Sequence, residues 1–148
     1  MFHYEIITSP TFLLNEDIIQ DIFKSVWKNI NKPQNWLLNI VFVSGEEIQT
    51  LNKNYRQKDS VTDVLSFHYY DDFFSLESEE IAGEMVFCED KIISQAVEYG
   101  LWEEKEFYKL LIHSILHILW YDHEADDDYT IMQEFENKIW KELFEKND

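Results

Sequence analysis

The 148-residue chain contains one cysteine, Cys88, one arginine, Arg56, three glycines and two prolines, and its 12 basic residues face 30 acidic ones. A single cysteine excludes an intrachain disulfide, a disulfide-linked framework and any Cys-rich metal knuckle, and it suits a reducing cytoplasm. So few glycines and prolines, with no Ser-rich linker, repeat or low-complexity run, leave nowhere to divide the chain, and residues 1–148 read as one domain. No stretch approaches the roughly 18 consecutive apolar residues of a membrane span. The opening MFHYEIITSP has neither the basic region nor the apolar core of a signal peptide. The expectation is a soluble cytoplasmic protein with no membrane partner. A formal net charge of -18 repels a nucleic-acid backbone at long range. The few cations are unevenly placed, however: Lys53, Arg56 and Lys58 fall close together, which makes this the candidate place for a phosphate.

What the chain does have is core material, with 45% hydrophobic and 16% aromatic residues. Phe2 to Ile7 reads as a strand, and Asn15 to Ile30 as an amphipathic helix with Ile18, Ile22, Val26 and Ile30 at helical spacing. Trp36 to Val43 is the clearest strand. Ser44 with Glu47 three residues later forms a capping-box pattern for a helix running towards Tyr55. Val61 to Phe67 and Ala82 to Phe87 are two further strands, separated by an acidic loop, Asp71 to Glu80. Glu89 to Tyr99 reads as a helix ended by Gly100, and Glu103 to Leu119 as a second helix that is apolar nearly all round and therefore central and buried. Ala125 to Phe144, with Met132, Phe135, Ile139 and Leu143 in period, is an amphipathic cover. The economical fold class is α+β: a single layer of about four mixed strands packed against helices, whose central helix carries two metal-ligand histidines.

Three of the five histidines stand in HSILHILWYDH as H-x3-H-x5-H. His113 and His117 are four apart on the central helix, so their Cβ atoms lie about 5–6 Å apart on one face and both rings can reach one ion. His123 must be returned by a turn. Three imidazoles with a vacant fourth position make the arrangement expected of a catalytic, zinc-like site. Imidazoles in an otherwise apolar helix also need partners, because a buried unpaired nitrogen costs about 1–3 kcal/mol. The same spacing occurs in metzincin proteases, but the position of their catalytic Glu is held here by Ser114 and that of their turn glycine by Trp120.

Around this window the chain resembles the bacterial YbeY family of endoribonucleases. His113, Leu116, His117, Tyr121, Asp122 and His123 match its H-G-x-L-H-L-x-G-Y-D-H signature, and Asp126, Asp127 and Met132 continue in register. NKNYRQKDSVTDVLSF, from Asn52 to Phe67, is similar to the family's second motif, and GEMVF, from Gly83 to Phe87, to its G-D-I strand. The chain departs at Ser114 and Trp120, where glycine is usual, at His68, where proline is usual, and at Glu84, where aspartate is usual.

The resemblance implies a single-strand-specific, metal-dependent endoribonuclease of 16S rRNA 3′-end maturation and ribosome quality control. It implies one Zn2+, or Ni2+ or another divalent transition metal, on His113, His117 and His123. Arg56 is the candidate catalytic contact to phosphate, the alternative being a surface arginine paired with Asp59 or Asp63. The acidic charge suggests that the RNA partner, rRNA, is presented by the ribosome or a ribosomal protein. Asp122 is either an orienting partner for a ligand imidazole or an exposed turn carboxylate. Thr62 and Ser66 either line the cleft or fill a strand face. Cys88 reads as a small buried hydrophobe. A metal-dependent hydrolase of another substrate, peptide included, and a ribosome-assembly binding protein with a structural metal are the alternatives.

Overall fold

The computed structural model describes residues 1–69, 80–119 and 126–145, with side chains in the last stretch from Thr130 onward. Trp120, Tyr121, Asp122, His123 and most of the acidic Asp71 to Glu80 loop lie outside the described residues, as do the side chains of Asp126 and Asp127. In chain order the elements are β1 (His3–Ile6), α1 (Glu16–Asn29), β2 (Leu37–Val43), α2 (Gly45–Arg56), β3 (Val64–His68), β4 (Ile81–Cys88), α3 (Glu89–Tyr99), α4 (Glu103–Leu119) and α5 (Asp126–Phe144). The expected α+β layer is present, and the boundaries follow local chemistry. The Asn15 side chain accepts from the Asp17 amide and caps α1. Ser44 and Glu47 form the reciprocal capping box of α2. Gly100 ends α3 at a φ of 67°, which is the left-handed region that glycine enters without a Cβ penalty.

Four strands make one mixed sheet in the order β1-β2-β4-β3. β1, β2 and β4 run parallel, and β3 pairs antiparallel to β4. Alternation divides the sheet into two faces. On one face Leu38, Ile40, Met85 and Phe87 meet α1 and α4, with α5 packed against those two helices. On the other, Leu65, Val86 and Cys88 meet Ile48 and Leu51 of α2. Cys88 is fully buried there, as expected of a small hydrophobe.

α4 is the helix around which the first face is organised. Phe107, Leu111, Ile112, Ile115, Leu116 and Ile118 are all essentially inaccessible. The ring of Phe107 lies 5.1 Å from that of Phe42 and 4.9 Å from that of Phe87, separations at which aromatic pairs attract beyond simple burial. Glu106, in the first turn of α4, is wholly buried. One of its oxygens accepts from Gln95 Nε2 at 3.0 Å and the other lies 3.0 Å from Lys109 Nζ, an ion pair rather than an aligned hydrogen bond. Gln95 also reaches Asp63 Oδ2 at 3.3 Å, so the same amide ties α3 to the chain entering β3. Thr62 falls before β3 and not within it, and its hydroxyl reaches Asp63. No helix among the described residues is long and apolar enough to cross a membrane.

Gly83 is the position with the least room. A Cβ there would come within 2.4 Å of the Phe67 carbonyl oxygen and 3.4 Å of Ile118 Cδ1. The first neighbour is backbone and cannot rotate away, so β4 must shift against both β3 and α4. Gly83→Ala is therefore expected to lower stability by about 1–3 kcal/mol, the usual cost of overpacking, as read from the urea midpoint at unchanged slope.

Candidate functional site

The site is built on the last two turns of α4. The spacing of His113 and His117 brings their rings together as expected: the centroids are 4.3 Å apart, with planes crossing at 71°. Neither ring is sealed in the core, both residues being of intermediate exposure. Between them, Ser114 faces inward with no accessible surface. Its Oγ lies 2.7 Å from Ser66 Oγ on β3, so two small hydroxyl residues join α4 to the sheet and satisfy one another. Ser66 is thereby a tie between layers rather than a filler of the strand face. The end of α4 is held by Lys32, whose ammonium donates to the Leu119 carbonyl at 3.0 Å. A cation at a helix C-terminus meets both the unpaired carbonyls and the negative end of the dipole.

The structure adds a residue that no local pattern indicated. Glu136, on α5, is bonded through Oε1 to Nδ1 of His113, with the imidazole 39% and the carboxylate 27% exposed. A carboxylate at Nδ1 draws the ring proton to that nitrogen and leaves the Nε2 lone pair available. Metal-binding histidines are arranged in this way: the partner fixes tautomer and orientation and raises ligand basicity. Glu136 lies 23 positions from His113 in sequence, on an unremarkable polar stretch of a cover helix, and only packing of α5 on α4 reveals it.

This donor chemistry fits a transition ion. Two imidazoles with ring centroids 4.3 Å apart, one of them held through Nδ1, are a suitable partial set for an ion that binds nitrogen at about 2.0–2.1 Å. His123, the third expected ligand, lies outside the described residues, and among the described residues no group of three metal-binding side chains converges. Arg56 closes the last turn of α2 and is exposed, on the sheet face opposite α4. Among the described residues it forms no ion pair. Asp59 instead accepts from Gln49 at 3.0 Å, and Asp63 accepts from the Val64 amide at 2.8 Å.

Tyr69, just beyond β3, donates to Glu84 Oε2 at 3.1 Å. Its phenol is pushed up to about 12, first by burial and then by the Glu84 carboxylate. It therefore stays a protonated donor at neutral pH and is no general base.

A mixed four-stranded sheet packed on a buried helix, which carries two adjacent imidazoles with a carboxylate on one of them, places the chain among α+β proteins. The particular family follows from comparison: the sequence model described as Endoribonuclease YbeY matches residues 10–144, and the chain belongs to that family. It is 38% identical over 136 residues to the endoribonuclease YbeY of Finegoldia magna, covering 89% of this chain and 87% of that one. The endoribonuclease YbeY of a Thermoanaerobacter species is 36% identical over 138 residues, covering 86% and 87%. A Thermotoga maritima protein solved in solution superposes with a TM-score of 0.57 at 27% identity, covering all of this chain and 97% of that one.

If Glu136 orients His113 for a metal, removing the carboxylate should weaken metal binding without unfolding the chain. Glu136→Ala is expected to lower zinc affinity about 10- to 100-fold, measured by competition with a chromophoric chelator, with Glu136→Gln losing less.

Proposed function

We propose that the chain is a metal-dependent endoribonuclease of single-stranded RNA, acting in the cytoplasm on 16S rRNA 3′ ends during maturation and ribosome quality control. One zinc ion, or nickel or another divalent transition metal, is held by His113, His117 and His123, within a single domain formed by residues 1–148. The observation that carries this reading is the His113–His117 pair, with Nδ1 of His113 tied to Glu136.

An ion held there supplies Lewis-acid polarisation of the phosphodiester. The chain's own residues do the rest. Glu136 keeps Nε2 of His113 available, and the buried Ser66–Ser114 contact fixes the helix that carries both rings against the sheet. Arg56, exposed and unpaired among the described residues, offers a planar fork of donors to a phosphate. Family membership supports RNA as the substrate. The net charge of -18 supports presentation of that RNA by the ribosome or a ribosomal protein rather than capture from solution. Peptide hydrolysis is the weaker reading. The helix position that would need a catalytic carboxylate is Ser114, which is buried and engaged with Ser66.

The test is metal content and RNA cleavage measured side by side for wild type and His117→Ala. Wild type is expected to hold about one ion per chain, and the variant to lose both the ion and at least about 100-fold in cleavage. A folded, metal-free variant that cleaves RNA normally would sink the proposal. Arg56→Lys is expected to cleave less well while keeping its metal, because an ammonium does not reproduce the bidentate contact. Unchanged cleavage by that variant would remove Arg56 from the site.

A further inference from the structure

Tyr55 is 66% exposed in the last turn of α2. The ring, though open to water, is held in place. It packs edge to face against Phe67 of β3, with centroids 5.4 Å apart and planes at 71°. Phe67 and Tyr69 are two apart on the same side of the strand, and Tyr69, 49% exposed, is fixed by its bond to Glu84. Tyr55 and Phe67 thus form one aromatic pair at the surface, with the half-exposed Tyr69 on the same side of the strand. The next residue after Tyr55 is the chain's only arginine, and Lys53 and Lys58 are exposed beside it.

We propose that Tyr55, supported by Phe67, is the surface on which a nucleobase of the RNA substrate stacks a few nucleotides from the scissile bond. The inference rests on the endoribonuclease reading and assigns to it a base-binding position. Placement supports it. β3 is an edge strand with β4 as its one neighbour among the described residues. Ser66 touches Ser114, beside His113, on one sheet face. Phe67, the next residue, meets Tyr55 on the other. The helix that carries the imidazoles and the Tyr55–Phe67 pair thus flank the two faces of one edge strand.

Charge supports it as well. In so acidic a chain, phosphate contacts alone give little affinity, whereas stacking needs no net charge and tolerates any base. A duplex, whose bases are already stacked on each other, cannot offer one to Tyr55, so the same surface selects single strands.

The test is steady-state cleavage of a single-stranded oligoribonucleotide by wild type, Tyr55→Ala, Tyr55→Leu and Tyr55→Trp. Each is also given substrates in which one abasic position is walked along the strand. Tyr55→Ala and Tyr55→Leu, the latter keeping apolar cover over Phe67, are expected to raise KM about 5- to 100-fold with kcat nearly unchanged, and Tyr55→Trp to stay near wild type. One abasic position should raise the wild-type KM to the same degree and add nothing to Tyr55→Ala, the signature of two halves of one contact. Folded Tyr55→Ala with wild-type KM, or losses that simply add, overturns the assignment while leaving the nuclease reading intact. Wild type that cleaves no RNA overturns both.

Discussion

A helix that is apolar on almost every side is stable only where other elements surround it, and α4 meets that condition from several directions at once. Phe42 and Phe87 of the sheet close on Phe107, and α1, α3 and α5 pack around the rest. Even the backbone N–H of Asn15, the cap residue of α1, donates across to the Tyr108 hydroxyl at 3.0 Å. Two imidazoles near the end of such a helix inherit its rigidity. Displacing the segment that carries both rings would mean breaking the Ser66–Ser114 contact or opening the core, so the backbone beneath the ring pair is fixed against the sheet.

The same packing assigns roles to residues that differ from the family's usual sequence. Ser114 stands where the family has glycine, at a place where α4 comes close to β3. It is accommodated because its hydroxyl is small and is answered by Ser66 at 2.7 Å. Gly83, where the family pattern is kept, sits where a Cβ would collide with backbone. Glu84 for aspartate gives a longer carboxylate that reaches the Tyr69 hydroxyl. This couples the departure to the aromatic surface beside α2.

An acidic protein acting on a polyanion must obtain specificity from something other than long-range attraction. The chain concentrates its limited means along one stretch, where Lys53, Arg56 and Lys58 stand with Tyr55 at the end of α2. The imidazole pair occupies the far side of the neighbouring edge strand. Short-range contacts of this kind act once the substrate is already in place, which is what the proposed presentation of RNA by a larger assembly would supply.

The sequence by itself determined what short-range rules govern. The N-cap at Asn15, the capping box of Ser44 and Glu47, the glycine ending α3, the extent of α4 and the i, i+4 placement of His113 and His117 all follow from residues within a few positions of one another. β3 starts at Val64 and not at Val61, although the β-branched Val61 and Thr62 suit a strand by composition. Only the hydrogen bonds of Asp63, which accepts from the Val64 amide, from Gln95 and from the Thr62 hydroxyl, show this stretch as its approach. Glu136 behind His113, Lys32 on the end of α4, Glu106 buried with Gln95 and Tyr55 against Phe67 were decided by tertiary structure alone. Each joins residues on different elements, and no periodicity along a single helix or strand encodes which side chain a neighbouring element will bring to it.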